Sequence, residues 1–256
     1  MRATARTEER PVRWYSKDNP KRELWLAWWT MVVFYQLFGL VFFVITRTQP
    51  PPSPAWETAR KVQWFNDNHH GLLIGFAVMF VITGMTAPIN ALIAYSMRRM
   101  SVSPVFGYTY LVMYSLSAIP GMLLLCLALT AGAMRPDRDP ELIGWIYDFA
   151  FLSFVGTMGV FLIGSLVWML AILIDKNGVL PKWFGYLNLC NALTEIVVSP
   201  AWIFDRGGVL AWNGVIAWWV NMVVFGIYTG AFIVLLRKMI LREDFGTGPL
   251  PVLAAA

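Results

Sequence analysis

Six stretches of this chain are at least 22 residues long and almost wholly apolar: 24–46, 70–97, 105–132, 142–174, 183–204 and 210–236. A bilayer core is ~30 Å thick and offers no hydrogen-bond partners, so such segments must satisfy their own backbone as helices of about 20 residues. The expectation is an all-α integral membrane protein, a bundle of six transmembrane helices between a basic arm (1–23) and a tail (237–256). The 33-residue fourth stretch must tilt or project beyond the bilayer. The first lacks a small-residue cleavage site and reads as a retained helix.

Composition agrees: 58% of residues are hydrophobic and 14% charged, where a soluble domain carries about a quarter charged. Cys126 and Cys190 both lie in apolar stretches, so neither a disulfide framework nor a metal centre is expected. No cofactor is expected either. The net charge of +5 forms no groove for nucleic acid and reads as a topology signal.

Of the 20 Lys and Arg, 14 fall in the N-terminal arm, the second and fourth loops and the tail, against six in the remaining loops. The positive-inside rule then puts both termini in the cytoplasm, and an even number of spans agrees independently. The expected location is a bacterial-type inner (plasma) membrane. Trp25, Trp28 and Trp183 fall at the expected inner interface and Trp145, Trp202 and Trp212 at the outer one, as amphipathic indoles prefer. Trp218 and Trp219 lie deeper, where packing competes with a place in a cavity wall.

The first outer loop, 47–69, opens on Pro50, Pro51, Pro52 and Pro54, a stiff polyproline-like spacer. Ser53 before Pro54 resembles a helix start. The following AWETARKVQWF reads as a short interfacial helix, an anchor in preference to a lid. Gly71 with Gly75, and Gly226 with Gly230, have the four-residue spacing that lets helices approach closely. Pro88, Pro120 and Pro200 should kink their spans.

The candidate site rests on Glu195, a carboxyl ~18 Å along the fifth span, where a charge costs roughly 3 kcal/mol. Asn188, Asn191, Glu195 and Ser199 are three, four and four residues apart and share one helix face. Asn191 can donate to the carboxyl from one turn away. Asp148 on the fourth span, Asn213 and Asn221 on the sixth, Trp218, and His69 with His70 at the start of the second complete the candidates. Glu195, Asp148, Asn213 and the His pair should share the outer half.

Adjacent histidines cannot supply haem ligands from separate helices. No span holds a retinal lysine, and no HExxH, phosphate loop or GxSxG elbow is present. Tyr147-Asp148 lacks the GxGD partner of an intramembrane aspartyl protease.

Three functions remain. The first is binding or carriage of a small lipophilic or amphipathic molecule in an outer-half pocket, which needs few polar anchors. The second is an intramembrane acid–base enzyme of isomerase or cyclase type on an isoprenoid- or steroid-like substrate, with Glu195 as general acid and Asp148 as its partner. The third is an accessory subunit, with Glu195 pairing across an interface to another membrane protein or a second copy. The stripe on the fifth span favours a pocket, and membrane lipid is a partner in all three.

Topology is testable by labelling intact cells with an impermeant thiol reagent after both native cysteines are replaced. Ala59→Cys is expected to react, and Glu8→Cys and Ser101→Cys are not. Reaction at position 101 reverses the orientation.

Overall fold

A computed structural model describes residues 15–16, 19–117, 122–155, 158–203 and 207–242, and every regular element among them is helical. Nine α-helices run in chain order: α1 Arg22–Gly39, α2 Thr58–Ile82, α3 Thr86–Arg98, α4 Pro104–Ser117, α5 Leu124–Met134, α6 Pro140–Val155, α7 Met158–Ile174, α8 Lys182–Val198 and α9 Asn221–Leu241. Short irregular turns extend several of them. A π-helical segment, Leu40–Ile45, prolongs α1, and another, Val215–Val220, leads into α9. Three continuous helical stretches are long and apolar enough to cross a membrane: Arg22–Ile45, Thr58–Arg98 and Val215–Leu241.

The helices are arranged in two tiers. α1, α3, α4, α7, α8 and α9 form a closed ring, each packing against the next and α9 returning to α1. α2, α5 and α6 pack on one another as a second group. α2 passes into α3 through a single 3-10 turn, Thr83–Met85, which joins the tiers. The cause is local. Pro88 has no N–H to give the Gly84 carbonyl and its ring crowds that turn, so the regular α-helical ladder breaks just ahead of it. Two hydroxyls add bonds around this turn, on carbonyls that also accept backbone N–H groups: Thr83 donates to the Met79 carbonyl and Thr86 to the Thr83 carbonyl, both at 2.7 Å.

The outer surface is apolar, with Val81 79% and Ile203 78% exposed. Polar side chains such as Asn90, Asn188 and Asn191 are buried instead. This reversal of the soluble pattern is what a lipid surround selects.

One end of the ring is tied by hydrogen bonds between its loops. Buried Asp175 accepts from the backbone N–H groups of Ser101 (2.8 Å), Asn177 (3.0 Å) and Val179 (2.9 Å). Lys182 donates to the carbonyls of Leu173 (2.7 Å) and Ile172 (2.8 Å), satisfying the last turn of α7. Lys21, entering α1, donates to the Ile240 carbonyl of α9 at 3.1 Å. In the other tier Lys61 grips both oxygens of Asp148, at 2.7 and 2.8 Å, and so clamps α2 to α6.

Several sequence expectations need correction. The stretch expected as a separate interfacial helix is the first part of α2, which runs unbroken from Thr58 to Ile82. Nothing between Trp64 and Gly71 interrupts a helix, and Trp64, Phe65 and the paired Lys61 are buried, so this segment packs on protein. The proline-rich segment is no extended spacer. Pro51 and Pro54 are buried, the Pro52 carbonyl accepts from Trp212 Nε1 at 2.7 Å, and the Ser53 carbonyl accepts from the Tyr147 hydroxyl at 2.9 Å.

Trp28 and Trp212, expected at interfaces, are buried, whereas Trp145, Trp183 and Trp202 are exposed as belts require. The kink expected at Pro120 lies outside the described residues. Pro200 sits in a 3-10 segment, Ser199–Trp202, that follows α8.

Of the two small-residue pairs, only one mediates packing. A Cβ on Gly71 would collide with the Ile45 carbonyl oxygen, and one on Gly75 with the Thr46 side chain, so α2 and the end of α1 touch through glycine. Gly226 and Gly230 have open space where a Cβ would be. Gly71→Ala is therefore expected to destabilise by about 1–3 kcal/mol through overpacking. Gly226→Ala should be neutral or stabilising by up to about 1 kcal/mol. Thermal unfolding of the purified variants measures both, and equal shifts would refute the assignment of the contact face.

Candidate ligand-binding cavity

The ring encloses a cavity of about 250 Å³. All six ring helices line it: Tyr35 from α1, Asn90 from α3, Tyr114 from α4, Phe161 from α7, Glu195 from α8 and Phe225 from α9 are examples. At the end facing the second tier it is closed by Pro51, Phe151 and Trp212. The proline-rich segment thus forms part of the cavity's wall, held there by the Trp212 and Tyr147 hydrogen bonds. Trp212 stacks on Phe151 with ring centroids 5.9 Å apart, which makes this end rigid and aromatic.

Helical phase carries Asn191 and Glu195 into the cavity together, since residues four apart on α8 share a face. Glu195 is half-buried and has no hydrogen-bond partner among the described residues. Asn191 is buried, and its Oδ1 likewise has no partner. No hydrogen bond joins the two among the described residues, although their spacing allows one. Across the cavity the indole Nε1 of buried Trp218 is also without a partner. Asn221, on the first turn of α9, lines the same space.

Other expected members are elsewhere. Asp148 does not line the cavity; it is the partner of Lys61, and its other neighbours form a separate shallow recess with Trp145 and Trp202. It therefore does not approach Glu195 as expected, because a buried ammonium on α2 draws the carboxylate toward that helix. His69 bonds the Ala133 carbonyl through Nδ1 at 2.7 Å and His70 packs edge-on against it, both away from the cavity. Asn188 donates to the Phe184 carbonyl at 2.8 Å within α8 and is sealed in protein. Asn213 lies in the turn before the Val215–Val220 segment. The Ser199 side chain lies outside the described residues.

Four tyrosines were not anticipated. Tyr35, Tyr110, Tyr114 and Tyr228 all line the cavity. Tyr110 and Tyr114 stack at 4.3 Å, and the Tyr114 hydroxyl meets Ser165 Oγ at 3.2 Å. Gly164 on α7 makes room, because a Cβ there would press on the Tyr114 ring. The four-residue spacing of Tyr110 and Tyr114 was visible in the sequence, but tyrosine in an apolar span reads first as belt or packing.

The chemistry offered is one carboxyl, the amides of Asn90, Asn191 and Asn221 and the four tyrosine hydroxyls, in a chamber walled by aromatic rings. No Lys, Arg or His lines it among the described residues. No protein-family model matches the chain, and no curated protein and no solved structure is significantly similar to it.

Unpaired buried polar atoms cost stability, of order 1–3 kcal/mol each. Asn191→Leu removes the unpaired carbonyl at similar volume. The variant is expected to unfold at the same or a higher temperature than the parent, and to bind any cavity ligand less well. A clear fall in unfolding temperature would mean that Asn191 is a structural hydrogen-bonding residue.

Proposed function

We propose that this is a six-span membrane protein, both termini cytoplasmic, whose ring of helices binds or carries a small lipophilic or amphipathic molecule. The Lys and Arg distribution and the three long apolar helices support the topology, with α4–α5, α6–α7 and α8 supplying the remaining spans. The observation that carries the function is the cavity itself: an aromatic chamber whose lining residues include the polar Asn90, Asn191, Glu195 and Asn221. Ligand sites are typically apolar hollows with a few convergent polar groups that orient the guest.

Size restricts the guest. An apolar cavity of about 150 Å³ accommodates benzene, so a chamber of about 250 Å³ suits a molecule near the size of a bicyclic ring. Such a guest can arrive from the bilayer, where it is already concentrated.

A second reading, acid–base catalysis on a lipophilic substrate, is favoured by the four tyrosine hydroxyls that share the chamber with Glu195. In that case Glu195 and a tyrosine would exchange protons with the substrate, and Asp148 would have no part.

The test fills the chamber from its wall. Ala217 is buried and lines the cavity, so Ala217→Phe should occupy much of the void. In nanodiscs, the parent protein is expected to bind 1-ethylnaphthalene saturably, and the folded variant at least about tenfold more weakly, a difference of about 1.4 kcal/mol. Absence of saturable binding by the parent, beyond partition into empty nanodiscs, would sink the proposal.

A further inference from the structure

We infer that the guest is a cation: a lipophilic amine in its ammonium form, carrying at least one N–H, with Glu195 as its counter-ion. The inference rests on the binding reading above and names the ligand class for the same chamber. It is carried by a charge imbalance in a chamber walled by aromatic rings.

Among the described residues, Glu195 is the sole acidic side chain lining the cavity, and no Lys, Arg or His accompanies it. The cation nearest in the fold's logic, Lys61, is already paired with both oxygens of Asp148 in the other tier. An ionised Glu195 therefore has no counter-charge in the chain's own lining, and a carboxylate in a low-dielectric surround is stabilised strongly by a cation that enters with a ligand.

The hydrogen-bonding inventory agrees. Glu195 lines the void with no hydrogen bond to its carboxyl among the described residues, and Asn191 Oδ1, one helical turn away, is buried in the cavity's wall without a donor. An ammonium N–H group can donate to the Glu195 carboxylate, and such charge-assisted bonds are the strong ones. Asn191 is buried to 7% relative exposure, so its unpaired oxygen cannot be satisfied by bulk water.

The walls supply the third element. Ring faces attract cations through their quadrupole, most strongly where water is excluded. Tyr35, Tyr110, Tyr114, Tyr228, Trp218 and Phe225 bring six such rings to the chamber. An anionic guest would meet Glu195 with repulsion, and a neutral hydrocarbon would leave the carboxyl without a partner.

The experiment compares two probes of nearly equal shape, 1-naphthylmethylamine and 1-ethylnaphthalene. Binding to the full-length protein is measured by equilibrium dialysis in nanodiscs of zwitterionic phosphatidylcholine, with empty nanodiscs subtracted so that lipid charge does not gather the amine. The parent is expected to bind the amine at least about tenfold more tightly than the hydrocarbon. Glu195→Gln should bring that ratio to about one by weakening binding of the amine. Glu195→Asp, which keeps the charge, should retain most of the preference. It also carries the test if the Gln variant loses its helical circular dichroism.

Saturable binding of the hydrocarbon with no preference for the amine overturns the cation inference and leaves the lipophilic-cavity reading intact. Binding of neither probe removes both. A preference that survives in folded Glu195→Gln shows that another group holds the cation and overturns the assignment to Glu195.

Discussion

The structure depends on one constraint: in hydrocarbon, a polar group that protein does not satisfy has no water to turn to. Most of the chain meets that constraint locally. Helices satisfy their own ladders. Side chains add to the ladders where they end or turn: Thr83 and Thr86 around the turn before Pro88, Thr46 at the end of the first π-helical segment, and Lys182 on the last carbonyls of α7. Buried polar atoms without a partner occur at Gln49, Thr130, Trp168, Asn188 and Thr229, away from the cavity, whereas Asn191 and Trp218 carry theirs on residues that line it beside Glu195. Polar groups gathered at one cavity's wall are what the proposed binding reading uses.

The two tiers explain how the cavity exists at all. Six straight helices packed along their whole length would close on their own side chains. Here α3 and α2 are offset by the 3-10 turn at Thr83–Met85, and α4 with α5, like α6 with α7, are separate helices. The ring therefore has a different packing partner at each level. Space remains where the tiers meet, and the proline-rich segment with Trp212 covers it. The clamp between Lys61 and Asp148 secures the second tier without placing either charge in the cavity. That separation leaves Glu195 electrostatically alone.

The helical class was legible because hydropathy and length are properties of contiguous sequence. So was the alignment of Asn191 with Glu195, since helix phase needs only the spacing along α8. What failed involved partners distant in the chain. Asp148 was read as a neighbour of Glu195 because depth can be estimated from sequence and azimuth cannot; its true partner is 87 residues away. The same holds for Trp212, an interfacial tryptophan by position, whose indole is instead claimed by the Pro52 carbonyl. Gly226 and Gly230 matched a packing motif with nothing opposite them. The four tyrosines were overlooked because each is an ordinary membrane residue alone and becomes unusual only when the faces of α1, α4 and α9 converge.

Glu195 shows why burial alone does not distinguish structure from function in such a chain. Asp148 and Asp175 are also carboxylates in or beside apolar segments. Asp175 accepts several backbone and side-chain hydrogen bonds between loops, and Asp148 is held by an ammonium. For those two the protein supplies the compensating partner, so each is accounted for by folding. Glu195 has the same insertion cost and no such partner among the described residues. Its compensation must come from a proton or from a guest, and either one couples the carboxyl to what occupies the cavity. On the proposed reading, the unpaired acid is the point at which the physics that shapes the fold passes into the physics of binding.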